Sequence, residues 1–100
     1  VKLDAEKVRL DLLSTPAVIG MGRVLTYGVQ KYAEHNWRKG MKWSRLVAAA
    51  MRHLFAFASG EENDAESGLP HIDHALCCIM FLSEYQKTGT GTDDRWRGAA

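Results

Sequence analysis

Leu69-Pro70-His71-Ile72-Asp73-His74-Ala75-Leu76-Cys77-Cys78-Ile79-Met80-Phe81-Leu82-Ser83-Glu84-Tyr85-Gln86 is the stretch on which the fold turns. Its eight residues from Ala75 to Leu82 are apolar without a break, and a helix apolar on every side has to be covered on several sides. The stretch predicts a central helix from about Leu69 to Gln86. Eight apolar residues fall far short of the roughly 20 that cross a bilayer, so the helix belongs to a globular core and no membrane partner is expected.

Working outward, Trp43 to Ser59 reads as a second amphipathic helix with the stripe Trp43, Leu46, Val47, Ala50, Leu54 and Phe57, stopped by Gly60. An earlier helix starts at Ser14-Thr15-Pro16, a hydroxyl cap followed by a proline in the first turn. Val18, Met21, Leu25, Val29 and Tyr32, three and four apart, carry it to about Glu34. Gly20, Gly22 and Gly28 weaken that helix by about 1 kcal/mol each relative to alanine, unless close packing or a ligand accounts for them. His35 to Lys42 and the acidic stretch Glu61 to Pro70 read as loops.

No segment alternates as a strand does. The expected fold class is all-α, an antiparallel bundle of three main helices in one domain over residues 1–87. Thr88-Gly89-Thr90-Gly91-Thr92 then reads as a flexible linker into a tail, residues 88–100. A compact chain of this length has a radius of gyration of about 13 Å, room for one core only. Three helices leave the last one incompletely covered, so a homodimer or larger homo-oligomer is expected.

The net charge of +1 excludes a generic polycation, but it is the sum of opposed blocks. Lys31 to Arg52 carries six cations against the single anion Glu34, and His53 to Asp73 carries five anions and no lysine or arginine. The acidic block repels phosphates, so a nucleic-acid partner is not expected even with the Arg95-Trp96-Arg97 tail. Adjacent Cys77 and Cys78 make a strained disulfide, which points to a reducing, cytoplasmic setting.

At about 100° per residue, His71, His74 and Cys78 share one face of the last helix, and His53 lies on the inward stripe of the helix before it. Bundles place metal ligands on facing helices in this way. The loop between adds Glu61, Glu62, Asp64 and Glu66, oxygen donors suited to Mg²⁺ or Mn²⁺. Against this stands the commoner use of a buried histidine, a hydrogen bond, and of Cys78, a small core side chain. On the basic side, Lys31, Arg38, Lys39, Lys42, Arg45 and Arg52 interleave with Tyr32, Trp37 and Trp43, as a polyphosphate and a stacked base require.

Arg9-Leu10-Asp11-Leu12-Leu13, Val24-Leu25-Thr26-Tyr27-Gly28 with Lys31-Tyr32, Asn36-Trp37, Arg52-His53-Leu54, Gly60-Glu61, Asp64, Glu66-Ser67-Gly68-Leu69-Pro70-His71 and His74-Ala75 together resemble the phage-associated dATP/dGTP diphosphohydrolase N-terminal domain family. The likeness runs from about Lys7 to Tyr85, and the chain goes on to an Asp93-Asp94-Arg95 tail of the kind such proteins carry. It implies hydrolysis of purine deoxynucleoside triphosphates, dATP or dGTP, to monophosphate and pyrophosphate, in control of a phage nucleotide pool in the host cytoplasm. The layout is also similar to the MazG-like all-α pyrophosphohydrolases, which hold Mg²⁺ on acidic residues of two helices, although His71 and His74 stand here where those enzymes carry Glu and Asp.

The expected roles follow from that resemblance. Glu61, Asp64, Glu66, His71 and His74 are the candidate metal ligands, for Mg²⁺, Mn²⁺ or another divalent transition ion. His53, Glu66 and His71 are the candidate catalytic groups. Lys31, Arg45 and Arg52 would hold the β and γ phosphates, and Tyr27, Asn36 and Trp37 the base and sugar. Two other readings compete: a non-catalytic helical oligomer that binds a nucleotide or protein, and an HD-type triphosphohydrolase. The second is weakened because Asp73-His74 reverses the diagnostic order and Asp73 points about 130° away from the two histidines.

Overall fold

The computed structural model describes residues 7–98. A 3-10 turn at Leu10–Leu12 precedes α1 (Thr15–Val29), a second 3-10 turn at Asn36–Lys39 precedes α2 (Trp43–Ala58), and α3 (His71–Thr88) completes the set. Among the described residues there is no strand, only two isolated bridges, Lys42 with Thr92 and Asn63 with Pro70. The fold is all-α, as expected. No helix among them is long and apolar enough to cross a membrane.

Each helix end has a local cause. The Ser14 hydroxyl accepts the Ala17 amide at 3.3 Å and Pro16 sits in the first turn, the start signal read from the sequence. The same helix stops at Val29 rather than at Glu34. Val29 and Tyr32 are 47% and 60% exposed, so no buried face rewards another turn. His35 then takes the left-handed conformation at φ 61° and starts the second 3-10 turn, where a plain loop was expected.

α3 is central: it packs along α2 and against α1, while α1 and α2 scarcely meet. His53 near the end of α2 touches His71 at the start of α3, and Leu46 near the start of α2 shares a core with Tyr85 near the end of α3, so the two helices run antiparallel. That core joins Leu46, Ala50, Cys78 and the fully buried Tyr85, whose hydroxyl donates to the Trp37 carbonyl at 2.5 Å. Trp37 stacks on Phe81 with ring centroids 4.5 Å apart. On the other side, the Cys77 thiol donates to the Met21 carbonyl at 3.4 Å, and a Cβ at Gly20 would fall on the Asp73 carboxylate. Close packing thus accounts for Gly20, whereas Gly22 faces open space. Cys77 and Cys78 are both free and buried, and burial pushes the Cys77 thiol up to about 12.

The described part of the tail lies against the α2 N-terminus. Thr92 exchanges backbone hydrogen bonds with Met41 and Trp43, the Trp43 indole donates to the Thr90 carbonyl at 3.0 Å, and Asp94 accepts from the Ser44 amide and hydroxyl at 2.9 and 2.6 Å. A carboxylate at this end satisfies an amide that no residue of α2 reaches and suits the helix dipole. Contact with Ser44 holds Asp94 below the usual carboxylate range. Gly91 has φ 76°, and a Cβ on it would collide with the Met41 carbonyl. Gly91→Ala should therefore destabilise the protein by more than about 1 kcal/mol, and Gly22→Ala in its open helical position should stabilise it by up to about 1 kcal/mol. Urea titrations followed by circular dichroism check both signs.

Candidate functional site

Three imidazoles converge where α2 ends and α3 begins. His71 is buried, at 5% exposure, with Nδ1 2.8 Å from Nδ1 of His53 and Nε2 3.0 Å from the Glu61 carboxylate. Glu61 as a carboxylate can only accept, so His71 carries a proton on Nε2; a neutral His71 then offers its Nδ1 lone pair and His53 donates. His74 lies flat against His53, ring centroids 4.6 Å apart and planes 9° from parallel. Burial is the main cause that lowers the pKa of both His53 and His74, and each is lowered further by neighbouring imidazoles.

The acidic loop is folded onto this cluster. The Ser67 amide donates to Asp64 Oδ2 at 2.9 Å and holds that carboxyl below its usual range. The Ser67 hydroxyl accepts from the Leu69 amide and lies 2.7 Å from Nε2 of His74. Asp64 and Leu69 are joined by a backbone hydrogen bond, Gly68 turns at φ 72°, and the His71 amide donates to the Glu62 carbonyl. His53, Asp64 and His71 each offer a ligand atom within 4.8 Å of the others. Two imidazole nitrogens and one carboxylate oxygen form a donor set that can hold a divalent first-row ion, with Glu61 orienting His71 from behind.

This cluster forms one end of a cavity of about 870 Å³ whose wall includes His53, Asp64 and His74. Of the residues expected to bind substrate, Tyr27, Lys31, Asn36, Trp37 and Arg45 line it, and Arg52 does not. Of the expected metal ligands, Asp64 and His71 come together, joined by His53. Glu61 sits on the far nitrogen of His71, His74 is engaged by Ser67, and Glu66 is paired with Lys31 across the rim. Trp37 is already engaged, stacked on Phe81 with the Arg38 guanidinium 4.5 Å over its ring, and Arg38 is held in turn by Glu84. Asp73 lies against Gly20 and is not part of the group formed by His53, Asp64 and His71. Ser67 and Phe81 had no distinguishing signal: one sits in a turn-forming Ser-Gly pair and the other inside an unbroken apolar run.

A stability change with pH follows from the histidines. A histidine whose folded pKa is lowered binds fewer protons folded than unfolded, so its contribution is complete above the ordinary value of 6.5 and is lost as pH falls through the folded value. The metal-free protein is expected to lose stability as pH falls below 6.5, and His53→Gln should flatten that slope; denaturation midpoints across the range measure it.

Comparison with known proteins agrees with the residue pattern. The family described as dATP/dGTP diphosphohydrolase, N-terminal, matches residues 1–95. The chain is 35% identical over 100 residues to a dATP/dGTP diphosphohydrolase of Salmonella phage PMBT28, a match that covers all of this chain and 34% of that relative, so it spans about a third of the relative's length. No solved structure matches. With 95 of its residues matched, the chain belongs to the dATP/dGTP diphosphohydrolase N-terminal family.

Proposed function

We propose that the chain hydrolyses purine deoxynucleoside triphosphates, dATP or dGTP, to monophosphate and pyrophosphate with the help of a divalent ion, and so acts in control of a nucleotide pool. The observation that carries this reading is the cavity of about 870 Å³, which Lys31 and Arg45 line together with His53, Asp64 and His74. That volume suits a nucleotide-sized ligand. The name of the phage relative, a dATP/dGTP diphosphohydrolase, supports it.

His53, Asp64 and His71 would hold the ion, Mg²⁺, Mn²⁺ or another divalent transition metal. When bound, it neutralises phosphate charge and acidifies water. Lys31 and Arg45 hold the outer phosphates; Lys31 leaves Glu66 to do so, an exchange made easy by the exposure of that pair. Glu61 keeps the His71 ring fixed through Nε2. His74, whose lowered pKa leaves it unprotonated at neutral pH, accepts a proton from water. Tyr27 and Asn36 serve base and sugar. Self-association belongs to the same reading.

Product analysis decides it. With Mn²⁺ or Mg²⁺ the protein should release pyrophosphate and dAMP or dGMP, and chelation should stop turnover; triphosphate as product, or binding without turnover, would sink the proposal. Asp64→Asn and His71→Ala should each lower the rate by about a hundredfold or more, with helicity checked by circular dichroism. Lys31→Ala and Arg45→Ala are expected to raise KM, and Arg52→Ala, outside the cavity, to leave it near the wild-type value.

A further inference from the structure

The cavity has a second polar end, to which the phosphates and the ion give no task. His74, Cys77, Phe81 and Glu84 follow one another along α3 at spacings of three, four and three, and all four line the cavity. Glu84 comes ten residues after His74, about 15 Å further along the helix axis. With the reach of the two side chains taken off, that is the extent of a deoxynucleoside and its first phosphate. Cys77, Met80 and Phe81 supply the apolar stretch between the two ends.

At the second end Glu84 meets Arg38. Nη1 of Arg38 donates to the two Glu84 oxygens at 3.3 and 3.2 Å, longer than the about 2.7–2.9 Å of a tight charge-assisted bond. The side chains are 49% and 38% exposed, so the pair adds little to stability. The guanidinium is nevertheless held in place. Its Nε donates to Nδ1 of His35 at 2.9 Å, and its centre lies 4.5 Å over the Trp37 ring, itself stacked on Phe81. His35 makes that bond from the left-handed conformation, φ 61°, uncommon outside glycine. Among the described residues Nη2 has no hydrogen-bond partner, and the Glu84 carboxylate has none besides Nη1.

One donor beside two acceptors is the complement of one purine edge. Guanine presents the O6 acceptor and then the N1–H and N2–H donors, side by side. Nη2 of Arg38 suits the first, and the two Glu84 oxygens suit the others. Adenine presents the N6–H donor and then the N1 lone pair, so the guanidinium would face a donor and the carboxylate a lone pair. A site that works by hydrogen bonds rejects a ligand that leaves them unmade more strongly than an apolar pocket rejects one by shape.

We propose that Arg38 and Glu84 read the edge of the base and make the cavity prefer guanine to adenine. This rests on the nucleotide reading, and a ratio between two bases tests it apart from the activity itself. The kcat/KM for dGTP should exceed that for dATP by about tenfold or more. Deoxyinosine triphosphate, which keeps O6 and N1–H and lacks the N2 amine, should fall between them. Glu84→Gln replaces one acceptor by a donor and should bring the dGTP-to-dATP ratio to about one or below. A purely structural role for Glu84 would not move that ratio, and circular dichroism checks that the variant keeps its helicity. Calorimetry with dGMP and dAMP reads the same preference without turnover. A protein that hydrolyses neither triphosphate therefore sinks the activity, while the two monophosphates still decide the base reading. Equal kcat/KM for the two triphosphates, a preference for adenine, a ratio that Glu84→Gln leaves unchanged, or binding of neither monophosphate overturns the proposal.

Discussion

A buried imidazole needs a partner at each ring nitrogen, and His71 finds its two on different elements, His53 of α2 and Glu61 of the connecting loop. A buried polar group without a partner costs about 1–3 kcal/mol, so this one side chain ties the end of α2, the loop and the start of α3 into a single arrangement. The antiparallel register of α2 and α3 follows. With His53 against His71, Ala50 falls beside Cys78 and Leu46 reaches Tyr85. A slip of one helical turn along α3 would leave both His71 and Tyr85 without their partners.

At the opposite end Tyr85 does for Trp37 what His71 does for the loop. Its hydroxyl fixes the Trp37 carbonyl, Phe81 supports the indole ring, and the turn after α1 is thereby held against α3. The cavity is the space left between these two anchored ends. It also brings the opposed charge blocks of the sequence together: the cations Lys31, Arg38 and Arg45 line it along with the anions Asp64, Glu66 and Glu84. Lys31 with Glu66, and Arg38 with Glu84, are where the two blocks touch.

Much of this was legible from spacing alone. The apolar run at Ala75 to Leu82 marked the central helix, and the interval of three between His71 and His74 put them on one face with His53 opposite. Length was harder to read, because the stripe in α1 continues to Tyr32 while nothing is there to bury it. Which acidic residue joins the histidines could not be read at all. Glu61, Asp64 and Glu66 are interchangeable by chemistry, and the choice is made by backbone contacts: the Ser67 amide turns Asp64 inward, while the end of α1 draws Glu66 to Lys31. Such contacts depend on loop conformation, which has no period.

The loop also shows what stiffens a domain with so small a core. Few side chains are fully buried, yet the Asp64–Leu69 backbone bond, the Ser67 bonds and the bond from His71 to Glu62 fix every turn between Glu61 and His71. Polar contacts of this kind hold only while their geometry holds, since each is worth about 1 kcal/mol net and none is backed by an apolar layer. The cluster is therefore built where helix ends and loop meet, so that each ring is braced twice: His71 by His53 and Glu61, and His74 by His53 and Ser67. Burial keeps His53 and His74 uncharged near neutral pH, so these two rings can stack face to face without repelling one another.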